Sequence, residues 1–309
     1  MKIIFAGTPE FAVPSLDRLY ESGHDIKLVI TQRDRPKGRG KKVQFTSVKE
    51  RALKYDVEVF QPDNINSSDS IEKLREISPD FIVVAAFGQI LKKEILDIPK
   101  YGCINVHASL LPKYRGAAPI NWAIINGEDE TGITIMKMEE GLDTGDIISQ
   151  GSIPITKDDD CESIHDKLAL LGADLLIKTM EDIVDGKAIY TPQDDSLSSY
   201  SPMIFKETGK IDWNRKAEDI VNLIRGLKPW PIAYTRYRDE TMKIHRASIV
   251  PNLSNGKPGE IVKVSNEGIY VSTINDSILI EELQFPNKRK MMVREYLAGN
   301  NIELGVVLE

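Results

Sequence analysis

Cysteine and histidine are scarce in this chain of 309 residues, with two of the former and four of the latter. Cys103 and Cys161 cannot build a disulfide framework. His24, His107, His165 and His245 fall into neither an H-E-x-x-H nor an H-x-E…C-x-x-C pattern, so no metal is expected. Long apolar runs are also missing: none approaches the roughly 20 residues that cross a bilayer, and no membrane partner is expected. The opening MKIIFAGTPEF has no apolar signal core with a small-residue cleavage site; it reads as a first strand, and a reducing cytoplasm is the expected setting. The turn after that strand, Gly7-Thr8-Pro9-Glu10-Phe11, lacks the second and third glycines of the dinucleotide fingerprint G-x-G-x-x-G. Glu10 would moreover repel a pyrophosphate, so a nicotinamide enzyme is disfavoured. There is no G-x-S-x-G nucleophile elbow. With no obvious dimer seam, a monomer is expected.

What remains is an ordinary globular composition, 41% hydrophobic and 28% charged, with a net charge of −7. That total argues mildly against a nucleic-acid partner, but the distribution softens the objection. The stretch RDRPKGRGKK, residues 33–42, carries six basic residues and one acid, and residues 207–309 hold 15 Lys+Arg against 14 Asp+Glu. A charge run of this kind is commonly a solvated surface loop. Its glycines and its density of cations also suit a loop that grips a polyanion.

Strand and helix patterns alternate through the first half. KIIFAG, DIKLVIT, VEVFQP, DFIVVAAFG and GCINVHA read as strands, separated by helices that begin at Pro9, at Thr46 or Ser47 (with Leu53 facing in), and at SSDSIEKLREI. Such β-α repeats predict a doubly wound, mostly parallel Rossmann-like sheet. TGITIMKMEEGLDTGDII follows as strand, turn and strand, and residues 161–186 as a long helix on which His165 is solvated. The serine- and aspartate-rich stretch 191–206 reads as a linker. Beyond it, one helix and five or six short strands predict a small OB-like β-barrel, with Trp213 and Trp230 as packing residues. The expected division is therefore 1–190, a linker at 191–206, and 207–309.

In doubly wound sheets, function sits at the carboxyl ends of the strands. Asn105 and His107 lie at one such end, two residues apart, and so point the same way. Asp143 sits in a glycine-bounded turn, Gly141-Leu142-Asp143-Thr144-Gly145. A neutral imidazole moves protons, a carboxylate orients it, and an asparagine amide donates to a developing oxyanion. With no serine elbow and no well-placed cysteine, the pattern points to direct transfer at a carbonyl, the nucleophile being supplied by a substrate.

The segment NVHASLLPKYRGAAPI together with GLDTGDI resembles the 10-formyltetrahydrofolate-dependent transferases and hydrolases. Within that family, IIFAGTPEFAVPSL, TQRDRPKGRGKK and LIRGLKPWPIAYT are similar to the tRNA-directed branch, and the resemblance covers nearly the whole chain. It implies a formyl group carried on N10 of a reduced folate and an acceptor amine on methionine esterified to initiator tRNA. It puts Asn105, His107 and Asp143 on the family's catalytic trio, and Ser109, Leu110, Leu111 and Pro112 on its folate-contacting segment. The pterin is expected near Phe87, Gly88, Gln89 and Ile90. Arg39, Lys41 and Lys42 are the expected phosphate contacts on the acceptor stem. Other acceptors, such as a sugar amine or water, remain open at this stage, as does an idle RNA-binding protein on the same scaffold.

Overall fold

The computed structural model describes residues 1–37, 42–251, 253 and 256–309. The chain forms two compact units. The first gathers Met1–Gly116, Thr131–Ile153 and His165–Ser201; the second gathers Ala117–Glu130, Pro154–Ile164 and Pro202–Glu309.

In chain order the strands of the first unit are Lys2–Gly7 (β1), Asp25–Ile30 (β2), Arg35–Lys37 (β3), Lys42–Gln44 (β4), Val59–Phe60 (β5), Phe81–Ala85 (β6), Cys103–His107 (β7), Arg115–Gly116 (β8), Glu130–Lys137 (β9), Ile147–Pro154 (β10) and Tyr200–Ser201 (β11). Helices run Val13–Glu21 (α1), Ser47–Lys54 (α2), Ser68–Ile77 (α3), Lys93–Leu96 (α4), Pro119–Ile125 (α5), Cys161–Val184 (α6), Ala217–Gly226 (α7) and Val293–Leu297 (α8). Seven strands form the main sheet in the order β10-β9-β7-β6-β1-β2-β5. The pairs β1–β2, β1–β6, β2–β5 and β6–β7 are parallel, while β9 runs antiparallel to β7. This is the mostly parallel Rossmann-like sheet that the alternating pattern predicts.

The apolar runs of β1, β2 and β6 are continuous because both faces of the sheet are covered. On one face Ile4, Ala6, Leu28, Ile30, Ile82 and Val84 pack with Leu74 of α3 and Ile95 of α4. Two helices open on hydroxyl caps: Thr46 accepts from the Lys49 amide and Ser67 from the Ser70 amide. Leu53, expected to face inward, is instead 53% exposed. The buried stripe of α2 is Val48 and Ala52, one helical repeat of four, and Leu53 lies about 100° round from it.

The second unit holds Tyr234–Tyr237 (β12), Glu240–Val250 (β13), Ile261–Ser265 (β14), Gly268–Ser272 (β15), Ser277–Gln284 (β16) and Met291–Met292 (β17), an antiparallel curled sheet in the order β12-β13-β16-β15-β14 with β17 on β16. Met242, Ile244, Ile269, Val271, Ile278 and Ile280 alternate inward and pack with Ile220 and Ile224 of α7 and with Trp213. Trp230 was expected to pack as well but stands 59% exposed. Flanked by Pro229 and Pro231, it sits in the turn between α7 and β12.

Candidate active site

Strand β7 ends at His107, and its register on β6 and β9 sets the site. Asn105 lies beside Val84 and Met136, and His107 beside Thr134. Alternation sends Val106 to the opposite face, where α6 covers it. That cover is close because residue 172 is glycine: a Cβ there would meet Val106 Cγ1 at 2.8 Å. Asn105 and His107 therefore share the other face, as their spacing predicts. His107 is buried; Asn105 is half-buried, and its amide makes no hydrogen bond among the described residues.

The His107 ring is held by a hydrogen bond at Nε2 and faces a carboxylate at Nδ1. Nε2 lies 3.0 Å from the Tyr114 carbonyl, which can only accept, so Nε2 carries the hydrogen. Nδ1 is then the basic nitrogen of the neutral ring, and it faces Asp143 Oδ2 at 3.7 Å. A proton accepted at Nδ1 would sit directly beside a carboxylate. Asp143 Oδ2 in turn accepts from the Gly116 amide at 2.8 Å. Of the three polar residues singled out from the sequence, the structure sets His107 and Asp143 face to face, and Asn105 lies two residues up the strand on the face of His107.

The backbone around the site is unusual. Ala86, Tyr114 and Asp143 have φ of 47°, 61° and 53°, and Gly88 and Gly116 have φ of 88° and 116°. Non-glycine residues in this region cost about 1–3 kcal/mol each and persist only where the surroundings hold them. Gly116 is required twice over, by its φ and because a Cβ would meet Tyr200 Cε2 at 2.6 Å and the Ser201 carbonyl at 2.8 Å. It pairs there through β8 with β11. Residues 191–201, which read from composition as part of a linker, are therefore built into this unit. Thr191 bridges to Ile147, and Gln193 reaches the Asp143 turn. Composition registers only that the stretch is serine-rich; nothing in it signals these distant partners.

The segment Ser109–Pro112 follows directly. The Ser109 hydroxyl donates to the Lys113 carbonyl at 2.6 Å, and the Leu111 amide donates to Thr134 Oγ1 at 3.0 Å. Gln150 Nε2 donates to the Leu111 carbonyl at 2.9 Å. Leu111 and Ser109 are buried, whereas Leu110 and Pro112 are partly open. At the end of β6, Phe87 is buried, and its carbonyl accepts from Thr8 Oγ1 (3.0 Å) and Gln32 Nε2 (3.2 Å). Gln89 spends its side chain on the Ile65 amide and the Pro62 carbonyl. Gly88 and Ile90 are exposed, Ile90 at 71%.

A cavity of about 540 Å³ opens at the carboxyl ends of β1, β2 and β6, lined among others by Thr8, Gln32, Arg33, Arg35, Phe45 and Gly88. A larger hollow of about 770 Å³, lined by charged groups such as Arg75, Lys93 and Glu140, contains none of the site residues expected from sequence. Of the expected phosphate contacts, Lys42 opens β4, while Arg39 and Lys41 lie outside the described residues. His165 is only partly solvated: its ring meets Phe11 edge-on at 5.6 Å and Nδ1 lies 2.9 Å from Asp166. Neither cysteine is poised as a nucleophile. Burial pushes the Cys161 thiol up to about 12 and raises that of Cys103 as well.

Two family models match the chain in order: formyl transferase over residues 1–180, and formyl transferase, C-terminal domain, over residues 203–301. Similar full-length proteins include the methionyl-tRNA formyltransferase of Clostridium acetobutylicum, 54% identical over 100% of both chains. That of Caldanaerobacter subterraneus subsp. tengcongensis is 53% identical, again over 100% of both. Among solved structures, the sugar 3N-formyl transferase WlaRD, determined with dTDP and 5-N-formyl-THF, shares the fold. Its TM-score is 0.68 at 24% identity, covering 94% of this chain and 99% of that one. An N-formyltransferase from Helicobacter canadensis gives the same TM-score at 23% identity, over 91% and 98% of the two chains. With both family models matched and relatives at this identity along its whole length, the chain belongs to the formyl transferase family, in the company of methionyl-tRNA formyltransferases.

Proposed function

We propose that this protein transfers the formyl group of 10-formyltetrahydrofolate to the α-amino group of methionyl initiator tRNA. The observation that carries this reading is the facing pair His107–Asp143, with the uncommitted Asn105 amide on the same strand face. It stands in a chain more than half identical, end to end, to methionyl-tRNA formyltransferases.

The residues divide the chemistry as follows. The acceptor amine attacks the formyl carbon, a C–N bond forms, and the carbonyl oxygen becomes an oxyanion. Asn105 donates to that oxygen, a contribution of about 3 kcal/mol for one well-aimed donor elsewhere. His107 accepts the proton shed by the attacking amine at Nδ1, with Asp143 stabilising the imidazolium. His107 then returns the proton to the folate N10 as the C–N10 bond breaks, so that protons and electron pairs balance. Folate suits the carboxyl edge of the sheet. The positive-φ residues Ala86 and Gly88 are exposed there, Ile90 offers apolar surface, and Ser109–Pro112 follow His107 along the chain. Phe87 and Gln89 act in this reading by holding that edge in shape.

Arg39, Lys41 and Lys42 meet acceptor-stem phosphates in this reading. Residues 1–190, with the stretch 191–201 built into the same unit, carry catalysis, and 207–309 assist tRNA binding. The same reading keeps a cytoplasmic monomer. The test is a labelled-formyl assay run in parallel with charged initiator tRNA, uncharged tRNA, free methionine and a nucleotide-linked amino sugar. Transfer confined to charged initiator tRNA is expected; equal transfer to the sugar amine or to water overturns the acceptor.

A further inference from the structure

We infer that Gln193 is a positioning residue for the reaction, acting through the Asp143 turn rather than on substrate. Its side chain is used in full. Oε1 accepts from Arg115 Nε at 3.1 Å and Nη2 at 2.8 Å, and Nε2 donates to the Asp143 and Gly145 carbonyls, both at 2.8 Å. Only a side-chain amide has two acceptor and two donor positions at this reach; a glutamate lacks the donors and a lysine the acceptors. The two carbonyls bracket the turn whose Asp143 is held at φ 53° and whose carboxylate faces His107 at 3.7 Å. Arg115 begins the short strand that ends at Gly116, the residue whose amide binds that same carboxylate at 2.8 Å. Gln193 therefore ties both supports of Asp143 together: its backbone through the turn, and its carboxylate through the Arg115–Gly116 strand. Arg115 is in turn anchored by Asp195 at 2.8 Å, and the Ser201 hydroxyl donates to the Tyr114 and Arg115 carbonyls. The Tyr114 carbonyl is the group that fixes the His107 tautomer. One segment, 193–201, thus sets the geometry of both members of the pair.

This inference rests on the proposed roles of His107 and Asp143. Displacing a catalytic group by about 1 Å is enough to cost on the order of a hundredfold in rate. Two substitutions dissect the contact. Gln193→Leu removes all four hydrogen bonds at similar volume. Gln193→Glu keeps the acceptors for Arg115 but sets a carboxylate against two carbonyl oxygens, which forces the turn to open. Both variants are first compared with the wild type by thermal melting and circular dichroism.

The expected result is a fall in kcat of about ten- to a hundredfold in each, with KM for charged tRNA and for folate within about threefold. The deciding measurement is the pairing with Asp143→Asn. If Gln193 acts through Asp143, adding Gln193→Leu to that variant lowers kcat by less than about twofold further. The inference is overturned if both single variants keep kcat within about twofold of wild type, or if the two losses multiply in the double variant. Asp143→Asn with wild-type turnover would overturn the reading beneath it and this inference with it. An impaired Asp143→Asn beside silent Gln193 variants sinks the inference alone.

Discussion

The two sheets bury similar residues by opposite rules. In the seven-stranded sheet the central strands are covered, so β1 beyond Lys2 and β6 are apolar and buried, and β2 is so from Leu28 to Ile30, with Asp25 and Lys27 exposed near its start. In the antiparallel sheet one face packs and the other is solvated: Met242 and Ile244 point in, while Lys243 and His245 between and beside them do not. The first arrangement concentrates chemistry at one edge. The second spreads charge over a face, and much of that charge is already matched. Arg246 pairs with Glu281 at 3.1 Å, Lys290 with Glu282 at 3.4 Å, and Arg238 with Glu303. A sheet of the first kind makes a site from few residues, so each of them matters disproportionately.

The sharpest way to break this comparison is at the edge itself. His107→Ala removes the proton carrier and Asn105→Ala the oxyanion donor, and each is expected to lower kcat by about 10²–10⁴. The Asn105 side chain makes no hydrogen bond among the described residues, so its truncation leaves no protein group unpaired and the melting temperature is expected to stay near that of the wild type. A single turnover assay beside a thermal melt checks both points. Turnover within about fivefold of wild type in either well-folded variant would contradict the assigned roles.

Next in size is the contrast between the two sets of cations. Replacing Arg39, Lys41 and Lys42 together by glutamine is expected to weaken charged-tRNA binding at least tenfold at moderate salt. The slope of log affinity against log salt should flatten by about two to three, close to one per lost phosphate contact. Replacing Arg246 and Lys290, already neutralised by their glutamates, is expected to change the slope by less than about one. Equal slopes in the two variants would show that the patterning of charge along the chain does not mark the RNA contact.

Period and composition carried most of the elements and the shared strand face of Asn105 and His107, because strand alternation is a local property. They failed where the outcome depended on a partner far along the chain. Leu53 was misplaced because α2 is only eight residues long, too short for its few apolar positions to define the buried stripe unaided. Trp230, expected to pack, lies in a turn that leaves the ring in solvent. Gln193 gave no signal: its four bonds reach 48 to 78 positions back along the chain, and its neighbours have the texture of an ordinary loop.

The smallest expected effect asks whether the two units also differ in their response to acid. Each has a histidine whose ordinary value is lowered chiefly by burial: His24 in the first and His245 in the second. They are not equivalent. His245 Nε2 lies 3.3 Å from Gln284 Oε1, whereas His24 Nε2 is buried with no hydrogen-bond partner among the described residues. A lowered folded value means that the folded protein keeps the ring neutral while the unfolded chain takes up a proton. The stability this represents is complete above about pH 6.5 and is lost as pH falls from there through the folded value, at no more than ~1.4 kcal/mol per pH unit for one group. Unfolding of His24→Gln, followed from pH 7.5 to 5 at constant ionic strength, is therefore expected to show a shallower decline than the wild type, with the curves converging in shape above pH 7. His245→Gln is expected to flatten the curve as well, since burial lowers the value of that ring too. Parallel declines in wild type and His24→Gln would mean that this buried ring does not contribute to the acid response and that the two units resist acid alike.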